Sequence, residues 1–226
     1  HPPSYLLLGL CYEWLESDAE GARKHYERYL SLRPEDPEGL LGLGRACLDL
    51  KDYKRIEATL VPYCERHPEE RSLLPVLAQV DLLHRRPERA MFRFRRYLET
   101  LDPAERALYE EIRPVASAGE SEAFAALAPE ERPAFLGRFW SRRDADILTE
   151  VSEGQVEHYR RIWYARTYFG RIVKPWDRRG EVYIRYGEPD LRSRAGRMDA
   201  IPSAAVQGVK ERLAQTPDFS MFFSLY

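Results

Sequence analysis

The sequence predicts a mainly α chain: a helical solenoid followed by a small α+β module with a short β-sheet. Three observations predict it. The N-terminal half repeats itself three times at a nearly fixed spacing. Proline and glycine break up the stretch that follows. Two short runs nearer the C-terminus alternate apolar and polar side chains.

Bulk properties bound the reading. The 226 residues suffice for one large domain or two modest ones. Charged residues reach 32% but balance to a net charge of −2, so no general attraction to nucleic acid or membrane is expected. No apolar run of about 18 residues occurs, so no membrane span is predicted. No signal peptide opens the chain. It starts at His1-Pro2-Pro3 without an initiator Met, which suggests a processed or excised fragment. Arg outnumbers Lys, and Ala, Leu, Glu and Pro abound, a composition typical of GC-rich bacterial genomes. Cytoplasm and periplasm both remain open. Cys11, Cys47 and Cys64 form neither a disulfide framework nor a zinc spacing and read as small buried apolar residues.

The repeat has a period of about 34 residues. Leu8-Gly9 recurs as Leu43-Gly44 and Leu77-Ala78. Tyr12 recurs as Cys47 and Asp81, Ala22 as Ile56 and Ala90, Tyr26 as Leu60 and Phe94, and Tyr29 as Tyr63 and Tyr97. Pro34 recurs as Pro68, with Asp102-Pro103 at the third station. The first unit is one residue longer, and the extra residue is expected near Ser17–Gly21. The third departs most, with Ala78 for Gly, Asp81 for an aromatic, and Pro75 in its first helix. Over residues 2–104 this pattern resembles the tetratricopeptide repeat, two helices per unit. A small residue at the Leu-Gly station lets those helices cross closely. Asp36-Pro37 supplies an N-cap and a first-turn proline, and Asp102-Pro103-Ala104-Glu105 adds a capping-box glutamate. One hairpin cannot bury its apolar face alone, so the units are expected to stack.

In that family the first helix of each hairpin lines a concave groove. Carried across by position, the lining is Leu6, Leu10, Glu13, Trp14, Leu41, Arg45, Leu48, Asp49, Gln79, Leu82 and Leu83. This apolar face with a few charges suits a helix or an extended peptide. The alternative is that the chain's own later helices fill it, since an exposed Trp14 among leucines would be costly without a cover.

Residues 105–130 read as a helical linker broken by Pro114, Gly119 and Pro129, with a turn at 117–121 marking a domain boundary. From 131 to 226 a second module is expected. Phe135, Leu136, Phe139 and Trp140 share one helical face. Ser152-Glu153-Gly154-Gln155 resembles a capping box opening an aromatic- and Arg-rich helix that stops at Gly170. Residues 181–186 read as a strand closed by the Gly187-Glu188-Pro189-Asp190 turn, 203–214 as a helix, and 218–226 as a second strand. Because the chain stops inside that apolar run, the module is expected to continue.

Several blocks of this module fall in the order of a second family. They are Phe139-Trp140, Arg142-Arg143-Asp144, His158-Tyr159-Arg160-Arg161, Tyr168-Phe169-Gly170 and the run from Arg179 to Asp190. Over 130–190 the sequence resembles the GWxTD domain, a bacterial family of undefined function often found beside tetratricopeptide repeats. The signature itself is altered. Where the family reads Gly-Trp-x-Thr-Asp-Arg-Gly, this chain reads Pro175-Trp176-Asp177-Arg178-Arg179-Gly180. The resemblance brings no catalytic residues.

No phosphate-binding loop, nucleophile elbow or HExxH pattern occurs. His158 beside Asp144 or Asp146 is the one candidate general base, weighed against an ordinary polar helix position. Asp144, Asp146 and Glu150 have too few oxygens for a calcium loop. No cofactor or metal is expected. Arg142, Arg143, Arg160, Arg161, Trp176, Asp177 and Arg178 form a second candidate surface, able to grip an acidic partner. Together these readings predict a non-catalytic protein-interaction scaffold of a bacterial assembly, with a protein or peptide partner and no nucleic acid. An enzyme or enzyme accessory with a site near Trp176, Asp177 and Glu188 is the first alternative. A structural subunit of a larger multi-domain or oligomeric scaffold is the second.

Overall fold

Capping carboxylates and repeated small residues set out the helices. The computed structural model describes residues 2–144, 151–170 and 174–189. Helix α1 (Pro2–Cys11) runs into a π-turn (Tyr12–Glu16), and α2 (Ala19–Leu30) folds back on it. Helices α3 (Pro37–Asp49) and α4 (Tyr53–Arg66) make the second hairpin. Helices α5 (Leu74–Leu83) and α6 (Pro87–Leu98) make the third. Each helix packs on the next, and α1, α3 and α5 also touch in series, so the hairpins stack in chain order.

Several repeat stations are core in all three hairpins, although Leu8 of the first is exposed. Ala22, Ile56 and Ala90 are buried, as are Tyr26, Leu60 and Phe94. A Cβ on Gly9 would lie 2.6 Å from the Tyr26 ring, and one on Gly42 would lie 2.4 Å from it. Both glycines therefore let α1 and α3 close on the same tyrosine from either side. Asp36 and Asp102 cap α3 and α7 (Pro103–Glu110), accepting two backbone N–H bonds each. The extra residue of the first hairpin is absorbed just before the turn, as the π-turn ending at Ser17 with φ 50°. Pro75 falls in the first turn of α5, where its missing N–H costs nothing.

Four expectations for the second half need correction. Residues 117–121 are not a turn but the cap and start of α8 (Ala118–Ala125), whose capping box joins Ser117 and Glu120. Conversely, Ser152 begins α10 (Glu153–Tyr164) without a side-chain cap, and its Oγ donates to Trp140 O instead. Glu105 closes no capping box, because its carboxylate is taken by Arg166 at 2.5 and 2.8 Å. Residues 181–186 are not a strand but part of helix α11 (Arg178–Tyr186). Asp177 accepts the Arg179 N–H at 2.9 Å and starts that helix, and Gly180, Tyr183 and Ile184 form its buried face. Gly187 follows with φ 82°, ending a helix where a strand turn was expected. No strand occurs among the described residues. The helix expected at 203–214 and the strand at 218–226 lie outside them.

Helix α9 (Arg132–Ser141) packs Leu136, Phe139 and Trp140 with Ile112 into a small second cluster. The main cluster joins the hairpin residues to Val156, Tyr159, Ile162 and Trp163 of α10. All of these lie in a unit that runs to Arg185. Tyr186–Tyr226 form a second unit, of which only the first residues are described.

Candidate functional site

The groove carried over from the repeat pattern is built on the three first helices. The π-turn sets its most polar corner. Glu13 sits inside that turn, nearly sealed from solvent, and its carboxylate takes three hydrogen bonds. Arg45 donates from Nε to Oε1 at 2.6 Å and from Nη2 to Oε2 at 3.0 Å, and the Tyr26 hydroxyl donates to Oε2 at 2.6 Å. With a two-pronged guanidinium and a phenol, three of the roughly four acceptor sites of this buried carboxylate are used. Burial disfavours the Arg45 charge, but the Glu13 contacts outweigh it and hold the guanidinium above its ordinary range. Burial and Glu13 both push the Tyr26 hydroxyl up.

Over this pair lies Trp14, its ring 5.3 Å from the Arg45 guanidinium. Trp14 is covered in turn by Tyr168, ring to ring at 5.4 Å. Tyr168 belongs to a second π-turn (Ala165–Phe169) that continues α10 up to Gly170. Burial raises its hydroxyl well above the ordinary range, helped by Asp49 and Glu13. Further back, α10 packs against α5, α6 and α7. Tyr159 meets Phe94 and Tyr109 edge to face. Between these points Arg166 grips Glu105 of α7, and this bond holds the carboxylate below its usual range.

The chain's own later helix therefore covers part of the expected lining, Trp14 under Tyr168 and α5 under α10. Leu6, Leu41, Leu48 and Leu82 pack against the cluster that contains α10. Glu13, Arg45 and Gln79 are buried, and Leu10 and Trp14 are half-buried. Asp49 and Leu83 alone of the set are exposed.

The second candidate surface divides. Arg143 takes both Glu120 oxygens at 2.8 Å and lies 3.8 Å from the Phe139 ring. Arg160 is paired with Glu157 and donates to the Tyr183 hydroxyl at 3.0 Å. Arg161 donates to Glu157 and to the carbonyls of Ile184 and Arg185. Trp176 packs beneath Gly180, and Asp177 is engaged by Arg179 and the start of α11. Arg142 and Arg178 remain exposed.

His158 is buried against Trp140, the ring centroids 5.1 Å apart. Both ring nitrogens are sealed from solvent, and burial, opposed in part by the Glu111 backbone, pulls the pKa down to about 4. A cavity of about 210 Å³ adjoins it, lined also by Trp140, Arg143, Glu157 and Arg161. Asp144 makes no ion pair with His158, and Asp146 and Glu150 lie outside the described residues. No group of three His, Cys, Asp or Glu side chains that could hold a metal occurs among the described residues. No described helix is long and apolar enough to cross a membrane.

Sequence reasoning named Glu13, Arg45 and Trp14 and left open an internal cover, but it missed the Glu13–Arg45 pairing and Tyr168 as that cover. Glu13 and Arg45 are 32 residues apart, and Glu105 and Arg166 are 61 apart. Within the sequence, the signals were a glutamate just after an apolar first helix and an arginine inside the second, at the station of Leu10. No family model, no curated protein and no solved structure matches the chain.

Proposed function

We propose that the chain is a non-catalytic protein-interaction scaffold of a bacterial assembly, built on tetratricopeptide-type hairpins. Its groove is occupied in cis by α10 and the second π-turn, and partners bind on outer surfaces. The GWxTD-like part acts as the intramolecular cap of the repeats. The observation that carries this reading is Tyr168 lying on Trp14 above the buried Glu13–Arg45 pair. Glu13 and Arg45 satisfy each other, and the apolar wall of the groove is continuous with the main core. A partner helix would have to expel a segment whose Val156, Ile162 and Trp163 are core residues.

The test is crosslinking mass spectrometry of the full chain captured from lysate of its source organism, with a small-molecule turnover screen beside it. A retained protein partner is expected, crosslinked to the outside of the hairpins or to α8–α9. A chain that retains no protein and turns over a small molecule overturns the reading. A synthetic 153–169 peptide added to the intact chain is expected not to bind, since its place is taken.

A further inference from the structure

We propose that the cleft between α8 and α9 docks an acidic peptide segment of a protein partner, with an apolar or aromatic side chain on the cleft floor. The proposal rests on the scaffold reading and names its partner surface. The cleft has a volume of about 310 Å³. Its floor is Ala123, Phe135 and Phe139. Phe135 is half-buried and lies against Phe124 at 5.6 Å and Phe139 at 6.4 Å, so the floor is a fixed aromatic platform.

Its rim carries the charge. Arg138 and Arg142 both line the cleft, and they stand one helical turn apart on α9, or just past its end. Both are exposed, and neither side chain has an ion pair or hydrogen bond among the described residues. The one carboxylate in the cleft, Glu120, is spent. It takes two bonds from Arg143 and two from Ser117, which hold its pKa down at about 2. Two like charges one turn apart repel, and a bound carboxylate relieves both. Charge complementarity therefore selects an anionic partner and the aromatic floor an apolar one. A volume about twice that of a cavity that holds benzene takes one such side chain. Two guanidiniums one turn apart do not make the continuous basic track that a nucleic-acid strand needs.

The experiment is selection of random dodecapeptides on the purified full chain, followed by fluorescence anisotropy of the enriched peptides. Wild type is compared with Arg138→Glu/Arg142→Glu, with Ala123→Trp to fill the floor, and with Arg33→Glu/Arg95→Glu as an equal charge change elsewhere. All these positions are exposed, and circular dichroism melts verify folding. The enriched peptides are expected to place acidic residues beside an aromatic. Both cleft variants are expected to weaken them by about tenfold or more, and the control by less than about twofold. Enriched peptides that bind the Arg138→Glu/Arg142→Glu variant as well as wild type overturn the cleft but leave the scaffold reading intact. A selection that enriches nothing overturns both. An oligouridine that displaces the peptide at lower concentration overturns the peptide in favour of nucleic acid.

Discussion

Helices α9 and α10 carry the same kinds of side chain and use them oppositely. Each has a tryptophan, further aromatics and at least two arginines. In α10 the aromatics face the hairpins. Arg160 and Arg161 are tied to Glu157, to Tyr183 and to the end of α11. In α9 the aromatics make a separate small cluster, and Arg138 and Arg142 are left facing solvent. Composition alone does not separate a helix that fills a groove from one that presents a surface. The difference is whether neighbouring elements supply carboxylates and carbonyls to the arginines.

That contrast can be broken by substitution, and the largest effect is expected at Trp163. Trp163→Ala is expected to cost about 3–5 kcal/mol in urea denaturation, since the ring is buried in the main cluster. Phe135→Ala on α9 should cost less than half of that, and equal costs would mean that α10 is no more embedded than α9. Next comes the polar corner. Glu13→Gln leaves Arg45 buried without its charge partner, and a loss of about 3 kcal/mol is expected. Adding Arg45→Met should recover most of it, whereas two additive losses would contradict a paired role.

His158 sharpens the comparison by pH. Its folded pKa lies at about 4, below the unfolded value near 6.5. The unfolded chain therefore binds the proton first as pH falls. The stability due to neutral His158 is full above about pH 6.5 and lost progressively towards pH 4, by about 2 kcal/mol between pH 7 and pH 5. His158→Phe should remove that part of the acid sensitivity. The other titrating groups, including the lowered Glu105 and Glu157, are common to both proteins and cancel in the difference. Identical stability-versus-pH curves would show that the imidazole is not sealed. The smallest effect is expected at the unpaired arginines. Arg138→Ala and Arg142→Ala should each change stability by less than about 0.5 kcal/mol.

The hairpins were legible because each repeat restates the same constraint. Tyr26, Leu60 and Phe94 recur at one station and all three are buried. Trp14 signalled its cover by being too apolar to leave open, though nothing local named Tyr168 as that cover. Local rules failed where two periodicities coincide. Val182, Ile184 and Tyr186 alternate like a strand, while Gly180, Tyr183 and Ile184 make a helical face, and the Asp177 cap decides between them. They failed again where two similar motifs compete. Ser117-x-x-Glu120 forms the capping box, and Ser152-x-x-Gln155 does not, because Ser152 bonds to Trp140 O. The long-range pairs, Glu13 with Arg45 and Glu105 with Arg166, depend on how the elements stack and left no local trace.

Native-state hydrogen exchange tests the self-filled groove most directly. If α10 and the second π-turn belong to the core, the most protected amides of Val156–Trp163 should open with the same free energy as those of α3 and α5, in one cooperative step. If α10 opens at a distinctly lower free energy while α3 and α5 stay protected, the helix is a displaceable occupant and the groove is available to a partner.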